Sequence, residues 1–262
     1  MKDTTMPGTL ILIGCGPGAA DLLTLRAARR IADADIVLYD RLVDQDVVAL
    51  ASARAQRLYV GKGCSDGGIQ QADINAHLRA ALLDGKVVAR LKSGDPMIFG
   101  RAAEEIAVAN AVGAGIEIVP GVTSALAAAA DAAITVTERA ELQSFVVTTG
   151  RAADADAPPD WTTVVKPGVC VAFYMGVAQA WRIQSELLRA GVPGRAPADW
   201  VERAGQRNMR TVSTRLDRLA LDANSNRVSN PAILLVRYPL SLARAGNISL
   251  GQTPRILAGG LG

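Results

Sequence analysis

The sequence predicts an α/β fold of two α/β domains with a ligand cleft between them, and three observations carry that expectation. Short apolar runs alternate with helix-like stretches through the first half of the chain, the pattern of a largely parallel sheet covered on both faces. Several runs end on glycine- or proline-containing turns, and sheets of this kind hold ligands at the carboxyl ends of their strands. A length of 262 residues fits one large α/β domain or two modest ones.

Taken in order, residues 9–13 form an apolar strand candidate. Residues 21–32 then read as a helix with Leu22, Leu25 and Ala28 on its apolar face. A second strand over 35–39 stops at Asp40. Further strands are expected at 56–60, 86–91 and 116–119, with helices over 70–83 and 101–112 between them. The N-terminal domain is drawn at residues 8–119 and the C-terminal domain at 120–240. Strands of the latter are expected at 144–148, 169–174, 198–202 and 232–237. Its clearest helix spans 177–189 and is stopped by Gly191 and Pro193. Residues 151–159, rich in Ala, Asp and Pro, read as a surface loop, and 241–262 as a disordered tail.

Composition narrows the function classes. Half of the residues are hydrophobic and only 4% aromatic, so a sizeable core must be filled by alanine, valine and leucine. A formal charge of +3 does not describe a nucleic-acid binder, which concentrates basic charge on one face. Cys15, Cys64 and Cys170 are odd in number and far apart, and His77 is the only histidine. A zinc site of Cys and His is therefore not expected, and a reducing compartment is. The N-terminal residues have no apolar core of a signal peptide, and no run of about 18 apolar residues follows. The expected protein is cytoplasmic, with no membrane span and no metal.

Three turns carry the chemistry. In Gly14-Cys15-Gly16-Pro17-Gly18 the glycines let backbone approach a ligand closely, and Pro17 stiffens the loop. Gly14, Gly16 and Ala19 also satisfy G-x-G-x-x-A, and Asp40 ends the second strand where a ribose-binding acid is expected, so a dinucleotide reading stays open. A tight turn with no ligand stays open as well. The second turn, Ser93-Gly94-Asp95-Pro96, is a common bend, but a second glycine, Arg101, Glu104 and Glu105 follow it as a charged helix start. In the third, Pro120-Gly121-Val122-Thr123-Ser124, either hydroxyl could simply cap the alanine-rich helix that follows.

Together with Asp21-Leu22-Leu23-Thr24-Leu25, Val37–Val43, Tyr59-Val60-Gly61-Lys62, Phe173-Tyr174-Met175-Gly176 and Ser229-Asn230-Pro231-Ala232, these turns resemble the tetrapyrrole methylase family over residues 8–238. The resemblance implies S-adenosylmethionine held in the cleft by Pro17, Ser93, Gly94, Asp95, Ile98, Thr123, Ser124, Met175, Ala204 and Ala232. Met175 also reads as a plain core residue after its strand. It further implies Arg41, Arg101, Glu104 and Arg139 against a polycarboxylate tetrapyrrole, where arginine forks suit carboxylates. Asp40 and Lys62 are its proton acceptor and donor, with Arg101 as a further catalytic participant. The implied activity is methylation of uroporphyrinogen III at carbon, twice, giving precorrin-2 on the route to sirohaem or cobalamin, by a homodimer.

Departures from the family pattern lie mainly on the substrate side. Ser93 stands where the family has glycine, Glu138 where it has histidine, and residues 63–71 replace its H-S-x-P-Q loop. A methylase of a later corrin precursor, an NAD-dependent oxidoreductase and a non-catalytic cofactor-binding protein are the alternatives.

Overall fold

A computed structural model describes residues 6–61, 70–151 and 159–248. The chain forms two compact units. The first runs to Ala132 and also takes in Arg203–Arg210; the second holds Ala133–Glu202 and the chain from Thr211 onward. The segment after residue 120 thus remains with the first sheet as far as Ala132, beyond the division at 119/120 read from the sequence. Close backbone contact of Gly121 with Gly14 is what keeps it there.

In the first unit the order is β1 (Thr9–Gly14), α1 (Leu25–Ala32), β2 (Ile36–Tyr39), α2 (Gln45–Val48), β3 (Gln56–Tyr59), α3 (Gln71–Leu83), β4 (Val87–Lys92), α4 (Ala102–Ala111), β5 (Gly115–Val119) and α5 (Ser124–Asp131). The strands lie in the order β3-β2-β4-β1-β5, and every neighbouring pair is parallel. Side chains alternate across a strand, so β1 feeds two cores. Ile11 and Ile13 pack with Ala27, Ile31, Val47 and Val48 of α1 and α2. Leu10 and Leu12 pack with Leu78, Leu82 and Ala109 of α3 and α4. Each buried Val, Leu or Ile among them contributes about 1.5–3 kcal/mol.

That alternation fixes where a ligand can sit. The strands β1 and β4 are neighbours, yet the helices that follow them, α1 and α4, cover opposite faces. Their connections leave the carboxyl edge toward opposite faces of the sheet, the arrangement at the switch point of doubly wound sheets.

The first helix differs from the expected one. A 3₁₀ turn over Ala20–Leu22 precedes it, and Thr24 then caps α1, its Oγ1 accepting the Ala27 amide at 3.1 Å. The helical phase is therefore reset at Leu25. Ala27 and Ile31 form the buried face, while Leu25 is 78% exposed.

The second unit contains β6 (Ser144–Thr149), β7 (Val169–Tyr174), α6 (Ala180–Arg189), β8 (Pro197–Glu202), β9 (Arg210–Arg215), α7 (Leu219–Ser225), β10 (Ala232–Tyr238) and α8 (Leu240–Ile248). Its sheet, β6-β7-β10-β8-β9, is mixed: β6 and β7 are parallel, and β10 runs antiparallel to both β7 and β8. The core is built on Trp161, Phe173, Ile183, Leu187, Trp200 and Leu234. Trp161 meets Phe173 edge-on at 5.8 Å and donates its indole N–H to the Thr149 carbonyl at 2.9 Å.

The expected disordered tail is corrected for its first residues, which continue as α8. Leu242 and Ala243 pack against the second core, and the Glu141 carboxylate accepts the Ser241 amide at 2.9 Å. Residues 249–262 lie outside the described residues.

Candidate active site

The carboxyl edge of the first sheet gathers the three turns. Cys15 donates its amide to the Lys92 carbonyl at 2.8 Å, extending the β1–β4 ladder past the strand ends. Gly16 and Gly94 then bridge, the amide of Gly16 reaching the Gly94 carbonyl at 3.2 Å and the Gly94 amide returning to the Gly16 carbonyl at 2.6 Å. Both are left-handed, at φ 70° and 72°, which glycine adopts without a Cβ clash. Gly121 closes the group, since a Cβ on Gly14 would stand 2.5 Å from the Gly121 nitrogen and one on Gly121 would stand 2.7 Å from the Gly14 carbonyl carbon.

Asp95 fastens two of the turns together. One carboxylate oxygen accepts the Met97 amide at 2.8 Å and the other the Gly121 amide at 3.1 Å. Ser93, Ile98, Thr123 and Ser124 are half-buried around this point. A Cβ on Gly94 would meet Ser124 Oγ at 3.4 Å, so the second turn lies against the start of α5. Thr123 is the residue before that helix, but its side chain makes no capping bond. Capping therefore does not explain the hydroxyl, and neither does it explain Ser124, the first helical residue.

Residues 203–210 cover the first turn. The Gly205 carbonyl accepts the Ala19 amide at 2.8 Å, and its amide donates to Asp131 at 2.6 Å. Gly205 presses on the Pro17 ring so closely that a Cβ there would overlap it. Ala204 is buried beside it. Pro17, Ser93, Gly94, Asp95, Ile98, Thr123, Ser124 and Ala204 thus belong to one unit, at or over one sheet edge.

Met175 and Ala232 belong to the second unit. Met175 follows β7 with a left-handed backbone, φ 54°, and is 43% exposed, so it is not the core residue that its place after a strand suggests. Ala232 begins β10, buried and paired with Glu202. Arg139 is exposed in the bridge formed by Glu138 and Leu142.

Beneath the first edge lies a charge network that the sequence did not disclose. Arg90 and Lys92 alternate along β4 and so point to the α4 side of the sheet. Glu105 on α4, with no exposed surface, receives Arg90 Nε at 3.0 Å and Lys92 Nζ at 2.8 Å. Arg90 reaches onward with Nη2 to Asp40 Oδ2 at 3.4 Å, and Lys92 Nζ donates to the Gly100 carbonyl. Burial and the adjacent Arg90 push the Lys92 ammonium below its ordinary pKa, against the pull of Glu105. Burial also drives the Cys15 thiol up to about 12, so it is no nucleophile at neutral pH. The one hint in the sequence was a pair of cations two apart in an otherwise apolar strand.

Asp40 sits at the end of β2, one-third exposed, its Oδ1 accepting the Leu42 amide at 3.1 Å. Arg41 is exposed next to it. Arg101 and Glu104 form a two-pronged pair, Nε to Oε1 at 2.6 Å and Nη2 to Oε2 at 2.7 Å. That pairing holds the Glu104 carboxyl below its ordinary pKa. Lys62 lies outside the described residues.

The chain matches the family model of the tetrapyrrole (corrin/porphyrin) methylases over residues 9–220. It is 39% identical over 238 residues to a siroheme synthase of Methylococcus capsulatus and 40% identical over 235 residues to siroheme synthase 2 of Yersinia enterocolitica. Each alignment covers 90% of this chain, and the chain spans about half the length of these curated relatives. Among solved structures, a uroporphyrin-III C-methyl transferase of Thermus thermophilus complexed with S-adenyl homocysteine superposes with a TM-score of 0.76 at 36% identity, covering 91% of this chain and 100% of that one. A cobalt precorrin-4 methyltransferase superposes with a TM-score of 0.78 at 29% identity, covering 88% and 95%.

Proposed function

The chain belongs to the tetrapyrrole (corrin/porphyrin) methylases, and we propose that it is an S-adenosylmethionine-dependent methyltransferase that methylates uroporphyrinogen III at carbon, twice, to give precorrin-2 for sirohaem or cobalamin. The observation that carries this reading is the convergence of Gly14, Gly94 and Gly121 at one sheet edge, fastened by Asp95.

The residues fit the methyl donor by their chemistry. Half-buried hydroxyls of Ser93, Thr123 and Ser124 stand beside backbone amides and carbonyls, a set suited to a ribose and an amino-acid group. Asp95 is engaged with the Met97 and Gly121 amides, and so holds the turns rather than adding an unpaired charge. The Thermus relative, complexed with S-adenyl homocysteine, supports the same assignment. The dinucleotide reading is not supported by the comparisons, which match the tetrapyrrole methylases and a structure complexed with S-adenyl homocysteine.

When bound, the donor supplies a sulfonium-activated methyl group, so the protein's task is to orient an electron-rich carbon and manage one proton. Asp40 accepts the proton that leaves the methylated macrocycle, with Arg90 Nη2 3.4 Å from its Oδ2 to orient it. Lys62 is assigned as the proton donor. Arg41, Arg101 and Arg139 take the substrate's carboxylates, and at Arg101 a substrate carboxylate displaces Glu104 from a fork already shaped for one. Met175 and Ala232 keep the donor assignment that the family resemblance implies for them. A later corrin precursor is the second reading, favoured by the likeness to the cobalt precorrin-4 methyltransferase.

The working form is assigned as a homodimer in the cytoplasm. Free Cys15 and Cys170 fit a reducing compartment, and no described helix is long and apolar enough to cross a membrane. Titration calorimetry tests the donor assignment: S-adenosylhomocysteine binds and NAD does not. Tight NAD binding with no response to the homocysteine compound refutes it.

A further inference from the structure

Glu105 has no exposed surface and faces two cations that are themselves almost wholly buried. Such clusters are weak sources of stability, because removing the charges from water offsets most of their attraction. Their hydrogen bonds instead lead to two places at the catalytic edge. We propose that Glu105 is a positioning residue: through Arg90 it fixes Asp40, and through Lys92 it fixes the Gly100 carbonyl and the turn that presents Arg101. This rests on the methyltransferase reading above.

On the first arm, the Arg90 guanidinium is held at two nitrogens, by Glu105 at 3.0 Å and by the Leu91 carbonyl at 2.7 Å. Its plane is thereby set, and the third nitrogen is aimed at Asp40. On the second arm, Gly100 lies between Phe99 at φ 52° and Arg101 at φ 54°, two non-glycine residues in the left-handed region. Such a turn persists only where its surroundings enforce it. Lys92 Nζ, ion-paired with Glu105, donates to the Gly100 carbonyl and so holds this turn. Gly100 can take no side chain, since a Cβ would stand 2.5 Å from the Pro96 carbonyl oxygen.

Two fastenings of the donor turns, the Gly16–Gly94 bridge and the Asp95 bonds to the Met97 and Gly121 amides, do not involve Glu105. Loss of Glu105 is therefore expected to disturb turnover and macrocycle binding and to leave donor binding in place.

The test compares Glu105→Gln, which keeps the shape and removes the charge, with Glu105→Asp, which keeps the charge and withdraws it by one methylene. In both, kcat with uroporphyrinogen III falls about tenfold or more and KM for it rises, while the Kd for S-adenosylhomocysteine stays within about threefold. Combining Glu105→Gln with Asp40→Asn gives no further loss of kcat beyond Asp40→Asn alone. In a crystal structure of Glu105→Gln, Arg90 Nη2 lies more than about 4 Å from Asp40, outside ion-pair reach. Unchanged kcat, a loss that multiplies with that of Asp40→Asn, or an equal loss of homocysteine-compound affinity overturns the proposal. If the wild type binds that compound but does not methylate uroporphyrinogen III, the substrate assignment is what fails. The variant crystal then decides the role of Glu105, and an unmoved Arg90 overturns it.

Discussion

Gly16 and Gly94 exchange a pair of backbone hydrogen bonds that locks the turn after β1 to the turn after β4. Their neighbours tolerate a side chain to very different degrees. At Gly94 a Cβ would meet Ser124 Oγ at 3.4 Å, the Ser124 nitrogen at 3.5 Å and the Thr123 Cα at 3.8 Å, all ordinary contacts, so Gly94→Ala carries chiefly the left-handed backbone penalty of about 1–2 kcal/mol. At Gly14 it stands 2.5 Å from the Gly121 backbone nitrogen, and Gly14→Ala is expected to destabilise by more than about 3 kcal/mol. Urea unfolding of the two variants checks the order, and a milder Gly14→Ala contradicts it.

Asp95 holds two backbone amides from different turns, and bonds to a charged acceptor contribute about 1.5–3 kcal/mol each. Asp95→Ala should lower unfolding free energy by about 2 kcal/mol or more, and weaken S-adenosylhomocysteine binding by about tenfold as the turns separate. Asp95→Asn retains one acceptor oxygen and should fall between. Calorimetry and urea unfolding on the same three proteins decide it.

Cys170 lies buried in β7, and burial pushes its thiol from 9.0 up to about 12. The unfolded chain releases the thiol proton above about 9, whereas the folded chain keeps it until about 12. The thiol's contribution is therefore fully present below pH 9 and is lost as pH rises toward 12, at up to about 1.4 kcal/mol per pH unit. Cys170→Ala removes that slope, so its unfolding free energy should fall less steeply than that of the wild type between about pH 9 and 10.5. Parallel slopes contradict the burial argument.

Asp40 lies at the end of β2, its carboxylate on Arg90 and the Leu42 amide. If it is the proton acceptor proposed above, it should contribute to turnover far more than to donor binding. Asp40→Asn is expected to slow methyl transfer by about a hundredfold or more while S-adenosylhomocysteine affinity changes by less than about threefold. Equal losses in both would make Asp40 structural.

What was legible in the sequence was local. The turns at 14–18, 93–96 and 120–124 declare themselves because glycine and proline solve a backbone problem at that point in the chain. Strands β1, β4, β7 and β10 were legible as near-continuous apolar runs, the mark of strands covered on both faces. The strand β9, Arg210–Arg215, was not, because it is an edge strand with exposed polar residues. The face of α1 was misread because Thr24 restarts the helix after a 3₁₀ turn. The Asp40–Arg90–Glu105–Lys92 network was hidden for a different reason. Its members come from β2, β4 and α4, and only the parallel register of β2 with β4 and the packing of α4 bring them together.

The most direct measurement is incubation of the purified chain with uroporphyrinogen III and methyl-labelled S-adenosylmethionine, followed by mass analysis of the macrocycle. Incorporation of two methyl groups at carbon, with release of S-adenosylhomocysteine, is the predicted result. A macrocycle recovered unlabelled, while the protein still binds the homocysteine compound, would contradict the assigned substrate.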